Sequence, residues 1–155
     1  MPARISVEVK GLREAQKRAL DDMRALGGQP MVDAMRQATL VVMADARRRV
    51  PVDTGRLRAS IVPEVEVHGH SVEGIVGSNV AYAPYMELGT RPHFPPVSAL
   101  RIWARRHGVE ALLVARAISR RGTRPRAFLM GAYVENEERV YRIIDEAAKD
   151  ILERK

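Results

Sequence analysis

Apolar and polar positions alternate with different periods along the first third of the chain. Residues 5–10 alternate one by one, which is typical of a half-buried strand, whereas 12–26 and 31–50 carry apolar residues at helical spacing. The run Gly27-Gly28-Gln29-Pro30 separates the two predicted helices. Pro51 should end the second helix, because proline disfavours helical geometry at the preceding residue.

The middle of the chain returns to strand periodicity, and its end is strongly helical. Residues 63–68 and 72–76 alternate around the run His68-Gly69-His70-Ser71, which predicts a β-hairpin. Apolar positions in residues 140–152 recur at spacings of three and four residues, so we expect a helix that packs across the sheet beside the second helix. The predicted fold is α+β: a small antiparallel or mixed sheet, formed by the N-terminal strand and the hairpin, packed by two long helices.

Two turns are predicted to lead into or close short helices. Asp53 or Thr54 could cap one of them by accepting a backbone N–H hydrogen bond, and Gly55 permits the tight entry. Pro84 suits the first turn of the other, where a missing N–H costs nothing, and Gly89 suits the left-handed position that closes it.

Proline and arginine dominate residues 90–126. The first part, 90–97, is predicted to be a stiff extended loop. Ser98 is placed to cap a helix ending near Gly108, and 109–120 predicts another. The segment holds nine arginines and one acid, a net charge of +8, whereas the whole chain carries +7. We interpret it as a basic mobile arm or insert within a single domain spanning the 155 residues.

The chain contains no cysteine, which excludes a disulfide framework, a thiolate nucleophile and a cysteine-ligated metal. His68 and His70, with Glu66 nearby, suggest a metal site, but a zinc site needs a further fixed ligand that this turn lacks. No phosphate-binding loop is present. We therefore predict neither metal nor cofactor. A signal-peptide layout and an apolar run long enough for a bilayer are also missing, so no membrane partner is expected.

His107, next to Arg105 and Arg106, could form a small ribonuclease-like basic site, which needs a base and a phosphate-holding cation close together. The same residues are typical of a helix end, where cations face the last carbonyl groups. We favour the helix end and predict that the protein is not an enzyme.

Three segments carry a family resemblance: Val52–Ile61, Ala81–Pro92 and Thr123–Leu129. Each joins a tight turn to a short helix or a helix start and places arginine beside it. In this order they resemble the tail-component family typified by gene product ten of the Hong Kong 97 phage, and the similarity extends over about 31–152. The stretch 101–121 is not part of the family pattern.

The resemblance implies a structural virion protein in the neck or upper tail of a long-tailed phage or prophage. Such a protein completes the tail or joins it to the head as a ring of copies, expected to be a hexamer. Its partners would be other copies and neighbouring neck, tail-terminator or tail-tube proteins, with passing contact to phage DNA. Assembly would take place in the host cytoplasm.

Within this interpretation, the exposed turns and the basic segment supply the contacts. The residues expected at or near subunit contacts are Tyr82, Tyr85, Glu87, Arg91, Phe94 and Phe128. The arginines expected to meet a partner or DNA are Arg105, Arg106, Arg120, Arg121, Arg124 and Arg126.

Two alternatives stay open. The aromatic residues Tyr82, Tyr85 and Phe128 could belong to the core of their own chain. The protein could also be a small basic nucleic-acid-binding module whose arginines grip phosphates.

Overall fold

Seven helices and one hairpin make up the part of the chain that the computed structural model describes, residues 12–154. In order they are α1 (Leu12–Leu26), α2 (Gln29–Arg49), α3 (Arg56–Ser60), β1 (Ile61–His68), β2 (Ser71–Ser78), α4 (Ala83–Leu88), α5 (Val97–Arg106), α6 (Ala111–Arg121) and α7 (Phe128–Glu153). This arrangement confirms the predicted α+β class. The strand predicted over 5–10 lies outside the described residues. None of the described helices is long and apolar enough to cross a membrane.

Helix α2 is the central element of the fold. It packs against α7 and against both strands of the hairpin. Its buried positions Ala34, Ala38, Val42 and Ala46 recur every four residues, so they form one stripe along the helix. The helix ends before Pro51, as predicted. The two long helices pack the hairpin as predicted, with α2 directly on both strands and α7 chiefly on α2.

The hairpin presents one face to α2. Its strands pair in antiparallel register over eight residues each, and the turn falls at Gly69 and His70. Gly74 sits where α2 approaches most closely, because a Cβ atom there would lie 2.6 Å from both Met35 Sδ and Thr39 Cγ2. A residue without a side chain therefore allows the sheet and the helix to make contact.

The main apolar core lies where α2, α3, the base of the hairpin and the start of α7 meet. Phe128 and Ile61 are its largest fully buried side chains, each with 0% of its surface exposed. The smaller members are Val42, Ala46, Val50, Leu57, Val80, Ala83 and Ala132. Leu57 belongs to α3, so the core holds the turn that precedes this short helix against the body of the protein.

The predicted side-chain cap of α3 is wrong. Gly55 occupies the N-cap position with φ of 80°, and no side chain caps the helix. Thr54 Oγ1 lies 3.5 Å from the Arg56 nitrogen, at the limit of a hydrogen bond. Asp53 does not cap because its carboxylate pairs with Arg106 at 2.7 Å.

The other short helices follow the predictions more closely. Pro84 lies in the first turn of α4, and Gly89 ends it with φ of 72°, although its ψ of −173° extends the chain instead of curling it. The predicted Ser98 cap is wrong. Helix α5 already begins at Val97 after an extended Pro96, so the serine lies inside the first turn.

A buried carboxylate links α2 to α7. Asp45 is 6% exposed and accepts hydrogen bonds from Arg48 at 2.9 Å, Arg49 at 2.8 Å and the Asn136 amide at 3.1 Å. Burial by itself would raise the pKa of Asp45. The hydrogen bonds and charges of Arg49 and Arg48 outweigh that effect and hold the pKa below its ordinary value.

Replacing Asp45 with asparagine should lower the free energy of unfolding by about 1–2 kcal/mol near neutral pH, because charge-assisted hydrogen bonds are lost at a buried position. A carboxyl group with a lowered folded-state pKa stabilises fully above its unfolded pKa, about 3.9. The difference in unfolding free energy between wild type and Asp45→Asn should therefore shrink as the pH falls below that value and through the folded-state pKa.

Urea unfolding of both proteins between pH 3 and pH 7 measures this difference. The matched control is Asp33→Asn. Asp33 pairs with Arg36 on the surface of the same helix, with more than half of each side chain exposed, and should contribute less than about 0.5 kcal/mol. Equal losses for the two variants would contradict the role assigned to Asp45.

Candidate functional site

A short bridge joins the second family segment, Ala81–Pro92, to the third, Thr123–Leu129. Thr90 and Thr123 exchange two backbone hydrogen bonds of 3.1 Å, and their hydroxyl groups lie 3.0 Å apart. The glycine before each threonine has positive φ, 72° at Gly89 and 67° at Gly122. A Cβ atom on Gly89 would collide with the Thr123 carbonyl oxygen, and one on Gly122 with the Thr90 carbonyl oxygen. Two glycines therefore permit the bridge that closes the basic segment at its base.

Glu87 holds the start of α7. Its two carboxylate oxygens each accept a 2.9 Å hydrogen bond from a backbone N–H, one from Leu129 and one from Met130. The backbone carbonyl of Glu87 also accepts from the Ala127 nitrogen at 3.1 Å. Ala127, at the N-cap position, supplies no side-chain cap. A carboxylate 42 and 43 residues upstream of these two amides thus satisfies free N–H groups at the positive end of the helix dipole.

Glu87, one of the residues expected near a subunit contact, has a role within its own chain. Glu87 is half-buried and uses both carboxylate oxygens within its own chain. It therefore positions α7 against α4 and is not a free acidic group for a neighbouring copy.

Replacing Glu87 with alanine should destabilise the protein by about 2 kcal/mol, because two helix-start amides lose their acceptor. The Glu87→Gln variant keeps one good acceptor and should lose about 1 kcal/mol. Thermal and urea unfolding measure both values. Glu138→Gln is the control, since Glu138 is exposed on α7 and has no ion pair among the described residues. A Glu87→Ala variant as stable as this control would contradict the capping role.

A groove opens where the three segments meet the basic insert, with a volume of about 1070 Å³. The walls come from the turn 51–57, from α4 and the loop that follows it, and from α5 and α6. The Asp53–Arg106 ion pair joins the turn to α5. The apolar residues lining the groove include Leu57, Tyr82, Tyr85, Met86, Leu100, Trp103, Val114 and Ile118.

The rim of the groove is cationic. Four arginines line it and are exposed: Arg56, Arg91, Arg124 and Arg126. Within the described residues, none of these four guanidinium groups makes an ion pair or a side-chain hydrogen bond. Among the residues that the structure describes, Asp53 is the one acid that lines the groove, and it is paired with Arg106. The groove therefore offers apolar surface surrounded by uncompensated positive charge.

The expected contact residues divide into three groups. Tyr82, Tyr85 and Arg91 line the groove. Phe94 is exposed on the proline-rich loop, outside the groove lining. Phe128 has no exposed surface, so of the two alternatives left open for it, the intrachain core is confirmed. Contact with another copy stays a prediction for the exposed members.

The arginines expected to meet a partner or DNA are spread over two surfaces. Arg124 and Arg126 line the groove, and Arg106 is bound to Asp53. The remaining three are exposed away from the groove lining: Arg105, Arg120 and Arg121. The segment that holds them contains two helices, α5 and α6, which pack against each other.

His107 is a helix end, as favoured from the sequence. It forms the C-cap of α5, its ring stacks on Trp103 with centroids 4.3 Å apart, and its Nδ1 lies 2.9 Å from the Trp103 carbonyl oxygen. Beside the hairpin turn, His68 Nε2 lies 3.0 Å from Glu66 Oε2 and 3.9 Å from Glu73 Oε2. Within residues 15–154, no group of three or more histidines or acids could hold a metal ion.

The groove itself could not be foreseen from the sequence. Asp53 and Arg106 stand far apart in the chain, and nothing local pairs them. The apolar residues of α5 and α6 fit an ordinary helix–helix contact equally well. The signal that was available is the shortage of acids in residues 90–126, which leaves the rim arginines without partners.

Comparison with known families connects this geometry to a class of proteins. The family described as "Bacteriophage HK97-gp10, putative tail-component" matches residues 15–89. The match runs from α1 to the end of α4 and contains the first segment and most of the second, so it confirms the resemblance there. The third segment and the insert lie outside the matched range. No curated protein and no solved structure matched the chain.

Proposed function

From the match of residues 15–89 to a family of phage tail components, we propose that this chain is a structural virion protein that completes the tail or joins it to the head. It acts by assembling into a ring of copies, expected to be a hexamer. Assembly takes place in the host cytoplasm, and the ring meets neighbouring neck, tail-terminator or tail-tube proteins.

The structural feature that supports the assembly step is the groove with an apolar floor and an unpaired arginine rim. Aromatic side chains in a concave site contribute strongly to protein–protein binding, because they bury large area at little entropic cost. Guanidinium groups pair with carboxylates in a planar, bidentate geometry. Such a groove suits recognition of an apolar and acidic surface, and the first two family segments supply part of its wall.

A ring requires that each copy use two different surfaces. A contact between unlike patches repeats around an axis and closes when the rotation permits. The groove is one such patch, and it stands apart from the α2–α7 layer that stabilises the chain. A ring can therefore form without rearrangement of the core.

Sedimentation velocity over a range of concentrations tests the assembly, with electron microscopy of the same sample. We expect rings for the wild-type protein and a clear loss of association for Arg91→Glu, which reverses one rim charge. The control is Arg116→Glu, an exposed arginine outside the groove lining. Monomers at every concentration, together with unimpaired tail joining by the Arg91 variant, would overturn the proposal.

The arginine rim also favours a second candidate, binding to nucleic acid. That function depends on phosphate contacts and should weaken steeply with salt. The apolar floor argues against it, since an aromatic and aliphatic groove gives a phosphate backbone little to bind. A gel shift with duplex DNA at physiological salt separates the two, and tight binding there would favour the nucleic-acid module.

A further inference from the structure

Helix α7 has a second apolar stripe, most of whose surface the described part of the chain leaves exposed. Its first stripe, which includes Ala132 and Val140, packs toward α2. Met130, Val134 and Tyr141 lie on another side, and their exposed fractions are 62%, 60% and 59%. The spacings of four and seven residues place them on one face of the helix, which we call the α7 stripe.

Acidic side chains flank the α7 stripe. Helix α7 contains seven acids and three bases. Glu137 and Glu138 lie within one turn of both Val134 and Tyr141, and neither takes part in an ion pair among the described residues. Further along the helix, the Asp145 carboxylate is already paired with Lys149 at 2.6 Å. Beside Tyr141 there are thus two uncompensated carboxylates.

We propose that the α7 stripe of one copy docks into the groove of the next copy. The groove is apolar with four unpaired cations, and the stripe is apolar with two unpaired anions, so the two surfaces are complementary in both respects. Val134 and Tyr141 reach the groove floor, while Glu137 and Glu138 pair with arginines of the rim. This inference rests on the proposed ring assembly and names the two surfaces that form it.

Charge decides which second surface the stripe meets. Two α7 stripes packed on each other would bring acid-rich helices together, and like charges across an interface cost free energy. The groove of another copy offers the opposite sign. The groove and the α7 stripe are different patches. Every copy therefore places its α7 stripe in one neighbour and accepts the stripe of another in its groove, which produces a heterologous, head-to-tail contact.

Reciprocal charge reversal tests the pairing. One protein carries Arg91→Glu with Arg124→Glu in the groove, and the other carries Glu137→Arg with Glu138→Arg on α7. Each alone should associate at least about tenfold more weakly than wild type in sedimentation velocity, because two complementary pairs become repulsive. An equimolar mixture should recover association, since the acidic groove of the first accepts the basic stripe of the second, and the reverse contact remains native.

Controls separate this inference from loss of folding. Arg101→Glu with Arg116→Glu reverses the same number of charges at exposed positions outside the groove lining and should associate like wild type. Circular dichroism and thermal unfolding of each variant should remain close to wild type. Tyr141→Ala should weaken association as well, because it removes the largest apolar side chain of the stripe.

The possible outcomes are distinct. If wild-type protein forms rings but the mixture does not recover, the pairing is wrong while the proposed function stands. If only the groove variant weakens association, another acidic surface occupies the groove and the pairing is again wrong. If the groove variant loses DNA binding without a change in association, the occupant is nucleic acid. A wild-type protein that stays monomeric and joins no tails overturns both the pairing and the proposed function.

Discussion

Replacing Phe128 with alanine should lower the free energy of unfolding by about 3–5 kcal/mol. Phe128 is fully buried at the first position of α7, in the cluster that also holds Ile61 and Ala132. Truncation removes a large apolar surface and leaves a cavity that the surrounding helices and hairpin can only partly fill. The loss falls where α7 joins the rest of the fold, so the variant should unfold at a much lower urea concentration.

The chain provides a control of the same residue type. Phe94 is the other phenylalanine, with 58% of its surface exposed on the proline-rich loop. Phe94→Ala should change stability by less than about 0.5 kcal/mol, as is usual for surface substitutions. Urea unfolding followed by circular dichroism measures both variants. Similar losses for the two would mean that Phe128 does not occupy the core as described.

Gly122→Ala should cost about 3 kcal/mol or more. Positive φ is unfavourable for alanine by roughly 1–2 kcal/mol. The new Cβ atom would also collide with the Thr90 carbonyl oxygen, which is backbone and cannot rotate away. The bridge must open, and each of its two backbone hydrogen bonds contributes about 1 kcal/mol. Because the bridge closes the basic insert, the variant should also lose the wall of the groove.

Gly108→Ala is a control at which the added methyl group meets no neighbouring atom. Gly108 has φ of 66°, close to the 67° of Gly122, but a Cβ atom there would meet nothing within 4 Å. Its replacement should cost only the conformational strain, about 1–2 kcal/mol. Thermal unfolding compares the two, and limited proteolysis reports opening of the insert. Equal stability and equal protease resistance for the two variants would contradict the bridge.

Local periodicity made the large elements predictable. The apolar stripe of α2 and its end before Pro51 follow from local rules, because helical spacing and proline geometry act within a few residues. The hairpin followed from alternation around a glycine-containing turn. The same rules placed Pro84 in the first turn of α4. These features depend on residues close together in sequence, so one amino-acid sequence is enough to predict them.

Caps and contacts supplied from a distance were not predictable. Asp53 looked like a cap by its position but is held by Arg106 on another helix. Glu87 looked like an exposed acid but caps α7. In both cases the partner lies far along the chain, and local propensity cannot select it. A strong tertiary partner then displaces the local hydrogen bond that the sequence suggests.

The aromatic residues show the same limit for the candidate site. Tyr82, Tyr85 and Phe128 have similar apolar character, and the sequence left all three open between core and interface. The structure buries Phe128 and exposes the two tyrosines on the groove. What separates them is which tertiary contacts each side chain makes, and no local pattern encodes those contacts.

The most direct test of the central claim, that this chain is a building block of a phage tail, is its presence in the finished particle. Mass spectrometry of tailed particles, purified on a density gradient from the strain that encodes it, should find the protein in fixed proportion to the major tail proteins. Its presence in the lysate but absence from intact purified particles would contradict the account.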